Sequence, residues 1–446
     1  MTLDRKIKPQ PNGKINFNIP TIETFQLKNG LNIFFVQRNT LPIVQMNLIV
    51  HSGSRFDLAN KKGLSKLTSM LIDEGAGSLT GLEIDNQIES LGSVLNTDSS
   101  MEHSSISLMT LKSNIKKSLD IFSLILKEPT FSEEDFTREK EKLQTSILQL
   151  NDDASYLAST NFTNILFDST PYQFPGAGLK ETVTEITNND INNFYKNNFS
   201  PKNSSLVIVG DLAEDELHKL TSKYFSDWNN SEKSEKLKLN FEKTKNQIIL
   251  IDKPDAPQSE LRIGHISKSR KSKDYFATNI LNSILGGQFS SRINLNLRED
   301  KGYTYGAHSN FNYNYFGGSF SVSTSVKSEN TGDAIKEILF ELTNIRKSIS
   351  QEELDFSKSY LTRRYPSMFE TYSQLASNAS LLPIYDLEQD YFQNYANNIA
   401  KCNLDDVMEA AKENIRLDEL IMVVVGDRKK IKDQMKGFDS FNFIEL

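Results

Sequence analysis

Cysteine occurs once in the 446 residues, as Cys402. A single thiol excludes an intrachain disulfide and any cysteine-ligated zinc or iron–sulfur site. Histidine is nearly as scarce. His51, His103, His218, His265 and His308 are the whole complement, which leaves little material for a histidine metal site. An excess of basic charge is missing too: 51 Lys and Arg stand against 58 Asp and Glu, a formal charge of −7. With a pI near 5.5 the chain lacks the electrostatic footprint of a nucleic-acid binder. No stretch approaches the roughly 18 apolar residues that a membrane span requires, so no membrane insertion is expected. The opening segment, MTLDRKIKPQPNGKINFNIP, has no apolar signal core and reads as an exposed polar arm. Without a signal or a disulfide the expected compartment is the cytoplasm; the periplasm is the alternative if a signal has been removed.

What is present describes an ordinary globular protein, 37% hydrophobic and 24% charged, with length for two or three domains. Self-similarity narrows this to two. Pro42, Ser52, Ser54 and Arg55 match Pro257, Ser267, Ser269 and Arg270 at an offset of 270 − 55 = 215. Ser104, Lys112 and Ser113 meet Ser319, Lys327 and Ser328 at the same offset. Val207-Ile208-Val209-Gly210-Asp211 resembles Val423-Val424-Val425-Gly426-Asp427, one residue further apart. Chance supplies about one identity in sixteen at average composition, so a duplicated unit is the better reading.

The intervening pattern is α+β. Leu31 to Val36, Met46 to Val50 and Ser104 to Leu111 read as strands. Lys62 to Glu74 and Ile115 to Leu126 carry helical periodicity. Thr80 with Glu83 forms a capping box, Ser132 opens a long helix to about Leu150, and Ser350 opens its counterpart. A one-sided sheet with long helices is expected in each half. The expected organisation is an N-terminal arm at 1–20, a first domain at 21–226, a polar linker at 227–245 and a second domain at 246–446.

A helix ending near Arg298, a turn at Lys301-Gly302 and a strand from Tyr303 would set a guanidinium and a phenol at the mouth of a cleft. On their own these two residues, seven apart, are weak evidence and are better explained by structural use. The surrounding string LGGQFSSRINLNLREDKGYTYG, however, resembles the C-terminal-half signature of the pitrilysin/insulinase family of zinc metallopeptidases, in its processing-peptidase branch. The resemblance extends over nearly the whole chain, from Thr24 to the final VVVGD. It implies two homologous α+β domains, each a mostly antiparallel sheet with long helices, that form half of a clam-like chamber. It also implies that Arg298 and Tyr305, at the family's seven-residue spacing, hold bound peptide near the scissile bond.

The family's inverted zinc motif, H-x-x-E-H, is degenerate here. Lys66 and Met70 stand at the histidine positions and Ser69 at the general-base glutamate. The third ligand's place falls on Ser146, or Ile147 by strict counting, with Glu139 and Glu141 upstream as weak substitutes. Zinc needs about three N, O or S donors and an open position, whereas a lysine ammonium repels a dication and thioethers bind zinc poorly. A site assembled from the scattered histidines and a Ser69/Lys66 dyad are the remote alternatives. The resemblance therefore implies a non-catalytic, substrate-binding subunit that binds no cofactor itself. Its expected partners are a catalytic chain bearing H-x-x-E-H with its zinc, and an extended peptide. The aromatic segment Phe311 to Phe316 offers a strand edge that such a peptide can extend, or else simply a core strand. Only Gly286-Gly287 stands where a mitochondrial processing subunit has a long glycine-rich loop, so presequence recognition is not supported. A stand-alone peptide-binding or chaperone-like clamp and a structural scaffold of the same fold are the competing readings. An independent hydrolase would need zinc in the pure chain.

Overall fold

The computed structural model describes residues 17–230, 239–438 and 440–445. Two six-stranded sheets form its framework. The first contains β1 (Glu23–Gln26), β2 (Asn32–Gln37), β3 (Ile43–Val50), β4 (Val94–Ser99), β5 (Ser104–Leu111) and β6 (Ser204–Gly210), in the spatial order β1-β2-β6-β3-β5-β4. The second contains β7 (Gln247–Asp252), β8 (Gln258–Ser267), β9 (Ala307–Tyr313), β10 (Gly318–Lys327), β11 (Ile421–Gly426) and β12 (Asn442–Glu445), in the order β9-β10-β8-β11-β7-β12. Each sheet has a hairpin at one edge, then a long antiparallel strand, then the last central strand of its half. That central strand runs parallel to β2 in the first half and to β7 in the second. The outermost strands alone break the likeness, since β1 is antiparallel to β2 and β12 is parallel to β7. Two copies of one mostly antiparallel α+β unit are therefore present.

Register corrects the sequence matching by one residue. Leu111 lies opposite Ile43, and Lys327 opposite Gln258. The long strands are 258 − 43 = 215 apart, but the hairpin strands β5 and β10 are 327 − 111 = 216 apart. At 216, Ile106 matches Val322 and both enter a core; at 215 it would match Ser321, which lines an open face. A slip of one residue inverts the faces of a strand, so burial decides the alignment.

Local signals account for the helices on the inner face of each sheet. In the first half these are α1 (Leu64–Leu71), α2 (Gly81–Ser90), α3 (Ile115–Lys127) and α4 (Glu133–Asn151). The Thr80–Glu83 capping box opens α2, and Ser132 accepts from the Asp135 N–H at the start of α4. Helix α1 is shorter than Lys62–Glu74. Asp57 accepts from the Gly63 and Ser65 N–H groups at 2.8 and 2.9 Å, and Gly63 sits at φ 98°, which sets the start of the helix at Leu64. Next come α5 (Ala154–Leu166), then, in the second half, α6 (Tyr275–Leu285), α7 (Thr331–Ile345), α8 (Gln351–Arg364), opened by the Ser350–Glu353 box, and α9 (Tyr372–Tyr385).

The sheets are not one-sided. Leu206 and Ile208 of β6 face their own helices, while Val207 and Val209 face the opposite way. Met422 and Val424 of β11 do the same against Ile421, Val423 and Val425. These second faces are covered by helices exchanged between the halves. Helix α5 places Ala158, Phe162 and Leu166 on β11, and α9 places Leu375, Ala376 and Ala379 on β6. Strands buried on both faces read as continuous apolar runs, which is why VIVG and VVVG lack alternation.

Of the matched arginines, Arg55 joins the halves, whereas Arg270 is held within its own half. Arg55 pairs with Glu102 at 2.7 Å and lies 5.2 Å from the ring of Phe316 in the second half. Glu102 in turn accepts from the Tyr172 hydroxyl at 2.5 Å and from the Tyr315 N–H at 2.9 Å. Arg270 lies 3.6 Å from the ring of Tyr275 and donates to the Tyr391 hydroxyl at 2.6 Å. Residues 1–16 of the expected arm and 231–238 of the expected linker lie outside the described residues. At the linker's described ends Trp228 is buried and Phe241 stacks on Tyr172, centroids 5.8 Å apart. No helix among the described residues is long and apolar enough to cross a membrane.

Removing one member of a buried ion pair strands the other, at a cost of about 3–5 kcal/mol. Arg55→Met should lower stability by that order in urea unfolding, and adding Glu102→Gln should recover part of the loss. A double variant as unstable as the single one would show that the ion pair is not what holds this contact.

Candidate functional site

Helix α6 ends where the N–H groups of Gly286 and Gly287 both reach the Asn282 carbonyl, at 2.9 and 2.7 Å. A Cβ at Gly286 would stand 2.4 Å from the Ser309 nitrogen, so glycine lets this turn close onto β9. A short helical turn, Arg292–Asn294, then widens into a π-helical segment, Leu295–Asp300, in which the Lys301 N–H donates to the Asn296 carbonyl at 3.0 Å. Ile293 and Leu297 anchor this segment in the second core and leave Arg298 on the outside. Such π turns are often found at functional positions. The strand expected from Tyr303 begins only at Ala307. Tyr303 packs against the core, and Thr304 turns back to accept from the Gly306 N–H at 3.1 Å. Tyr305 projects from that turn and is 91% exposed.

Arg298 and Tyr305 line one cavity of about 640 Å³ on the part of the second sheet that α5 leaves uncovered. Its floor is formed by His308, Asn310 and Asn312 of β9 and Ser321 of β10. The Arg298 guanidinium lies 4.6 Å from the centre of the Phe289 ring, itself 61% exposed, and its Nε is 3.5 Å from a Glu299 carboxylate oxygen. Buried Asn294 braces both rims: it donates to the Phe289 carbonyl at 2.7 Å and accepts from the Ala307 N–H at 3.1 Å. Sequence reasoning named Arg298 and Tyr305 and passed over Phe289 and Asn294. Phe289 stood inside the quoted string as an apolar residue beside glycines, whereas nothing local to Asn294 indicates which groups it reaches.

The degenerate zinc positions lie on α1 and α4. Lys66 pairs with Asp98 of β4 at 2.7 Å, Ser69 is buried, and Met70 packs against the first core. On α4, Ser146 is exposed and Ile147 belongs to the core. Glu139 is buried between Lys142 at 3.1 Å and Arg138 at 3.4 Å, and Glu141 is solvated. Burial, together with the carboxylates of Glu74, Asp85 and Glu139, pushes Asp73 up to about 7, so this corner takes up protons readily. The donor set does not fit zinc. Among the described residues no three His, Cys, Asp or Glu side chains gather as a metal site requires. Lys66 is committed to Asp98 rather than to Ser69.

Four of the five histidines are structural in their settings. His51 and His103 stand just beyond strand ends, not within strands. His51 reaches the Ser205 hydroxyl at 3.1 Å and His103 the Ser100 hydroxyl at 3.0 Å, and burial pushes both down to about 4. His218 stacks on Phe25 at 4.2 Å. His265 in β8 donates through Nδ1 to the Ile266 carbonyl at 2.9 Å and accepts at Nε2 from the Arg416 N–H at 3.1 Å.

Two family models match the chain: insulinase (peptidase family M16) over residues 33–176, and the peptidase M16 inactive domain over residues 185–361. The chain belongs to the M16 family. Likeness to the family's inactive domain and to a non-peptidase homolog supports a non-catalytic member, in keeping with Lys66, Ser69 and Met70 where the resemblance puts the zinc motif. A non-peptidase homolog, YmxG of Helicobacter pylori, is 25% identical over 90% of this chain and 93% of its own length. The zinc protease PqqE of the same species is 23% identical over 89% of this chain and 90% of its own length. The crystal structure of a peptidase M16 inactive domain from Pseudomonas fluorescens has the same fold, with a TM-score of 0.86 at 23% identity, covering 91% of this chain and 98% of that one.

Burial pushes the His265 imidazole down to about 4 from its ordinary 6.5. The unfolded chain therefore takes up the proton first as pH falls, and stability present above 6.5 is lost on the way to 4. Wild type should lose about 3 kcal/mol more than His265→Gln between pH 7 and pH 4 in urea unfolding. Equal losses in the two proteins would remove His265 from the acid response.

Proposed function

We propose that this chain is the non-catalytic, substrate-binding subunit of a two-chain zinc peptidase, its partner bearing H-x-x-E-H and the metal. The observation that carries the reading is the shared cavity. Arg298 and Tyr305 converge on one open space beside the edge strand β9, while in the first half the expected zinc-motif positions carry Lys66, Ser69 and Met70. A guanidinium offers permanent charge and several N–H donors, and a phenol offers one O–H donor. Both suit the carbonyl oxygens of an extended peptide, and such donors act more strongly on an oxygen that is gaining negative charge. β9 has a neighbour on one side only among the described strands, so an added peptide strand can take main-chain hydrogen bonds there. The occurrence in Helicobacter pylori of one relative named a non-peptidase homolog and another named a zinc protease is consistent with a division of labour between two chains.

The test is reconstitution with an H-x-x-E-H chain from the same genome. Arg298→Ala should lower peptide hydrolysis by about a hundredfold, in the range found for loss of a charge-stabilising donor, and Tyr305→Phe should lower it in the same direction. Unchanged hydrolysis in both variants rejects the assignment. Peptide binding by this chain with no copurifying catalytic chain favours the stand-alone clamp instead.

A further inference from the structure

Resting on that peptide-binding reading, we propose that the Arg298 cavity selects a carboxylate, from an Asp or Glu side chain or from the peptide's own C-terminus, within an otherwise uncharged extended segment. Charged residues make up 24% of the chain, yet Arg298 is the one permanently charged residue among the sixteen that line this cavity. The rest are neutral amides, hydroxyls, glycines, Ala307, two aromatic side chains and His308. His308 adds no second positive charge near neutral pH, because burial and the Arg262 guanidinium push its imidazole down.

The placement of Arg298 favours an incoming anion. Its flat face is held against Phe289, and its only carboxylate neighbour among the described residues, Glu299, stands at 3.5 Å from Nε and outside the cavity lining. The two Nη nitrogens have no acceptor among the described residues. A guanidinium fork in that state matches a carboxylate through two parallel N–H···O bonds, which a single carbonyl oxygen cannot supply. Strand addition along β9 also sets the geometry. His308, Asn310 and Asn312 face the cavity while Ala307, Ser309 and Phe311 are buried, so alternate residues of an added strand lie over the same face, about 7 Å apart. One fork within that repeat serves one carboxylate. Phe289 and Tyr305 give the residues beside it aromatic surface.

Basic peptides gain nothing here. The matching cavity on the first sheet, lined by Gln45, Asn47, Asn96, Ser107 and Ser377 among others, has no charged residue in its lining at all. Neither open sheet face therefore presents an unpaired acid to a lysine or arginine; Asp98, at the edge of the first, is taken by Lys66.

Fluorescence anisotropy on the isolated full-length chain tests this with labelled ten-residue peptides of one uncharged β-forming sequence. The set carries Glu, Gln or Lys at its centre, each made with a free and with an amidated C-terminus. The Glu peptides, the free-acid peptides or both should bind about tenfold more tightly than the Gln amide, as a charge-assisted pair implies. Which of the two does so identifies the source of the carboxylate. Arg298→Gln, checked for native circular dichroism and an unchanged melting temperature, should abolish the difference. Equal affinity for Glu and Gln and for acid and amide, with binding still lost in Tyr305→Ala, overturns carboxylate selection and leaves the peptide-binding reading standing. Preference for the Lys peptide overturns it too. Binding of none of the six peptides overturns both.

Discussion

Burial of the second faces of β6 and β11 is the constraint on which the rest of the structure depends. Val207 and Val209 on one strand, and Ile421, Val423 and Val425 on the other, point away from their own helices. Each apolar side chain removed from water contributes about 1.5–3 kcal/mol, so leaving either row bare would offset much of a domain's net stability. The chain resolves this by exchange: α5 leaves the first half to cover the second sheet, and α9 leaves the second half to cover the first. Two copies of one unit thereby become a single mechanical body, reinforced where Arg55, Glu102 and Tyr315 meet.

The exchange also defines where ligands have access. Each borrowed helix covers the central strands and stops short of the edge hairpin, leaving a polar face on β4–β5 and another on β9–β10. Those faces carry serine and asparagine where the covered strands carry valine and isoleucine. Arg298 is then delivered to the second face by a π-helical segment fastened in the core through Leu297 and, just before it, Ile293, and Tyr305 by the turn that follows. A rigid support beneath an exposed phenol and guanidinium is what a positioning surface requires.

Much of this was legible in the sequence, and the parts that were not have a common cause. Capping at Thr80, Ser132 and Ser350 depends on residues three apart, so pattern alone located those helix starts. Apolar runs marked β6 and β11, whereas Arg298 and Tyr305 were singled out by the resemblance of the string around them, not by their spacing alone. The one-sided sheet was a wrong expectation because the helix that covers β6 lies more than 160 residues away, as 372 − 209 = 163 shows. The register of β5 against β10 slipped by one because β5 carries serine on both faces, Ser104 on one and Ser105 and Ser107 on the other, so serine matches alone do not fix which face meets the serine face of β10, and only burial does. Asn294 was invisible for the same reason: its two partners, Phe289 and Ala307, come together only through the fold.

The exchanged helices bear on synthesis as well as on stability. When β6 leaves the ribosome, its Val207 and Val209 face has no cover, because α9 ends at Tyr385, 385 − 209 = 176 residues later. At roughly 5–20 residues per second that interval lasts about ten to thirty-five seconds. For that time the nascent first half has an apolar sheet face without its cover, the kind of transiently exposed surface that makes a folding chain prone to aggregate. Growth of the polypeptide itself, rather than any ligand, ends the exposure.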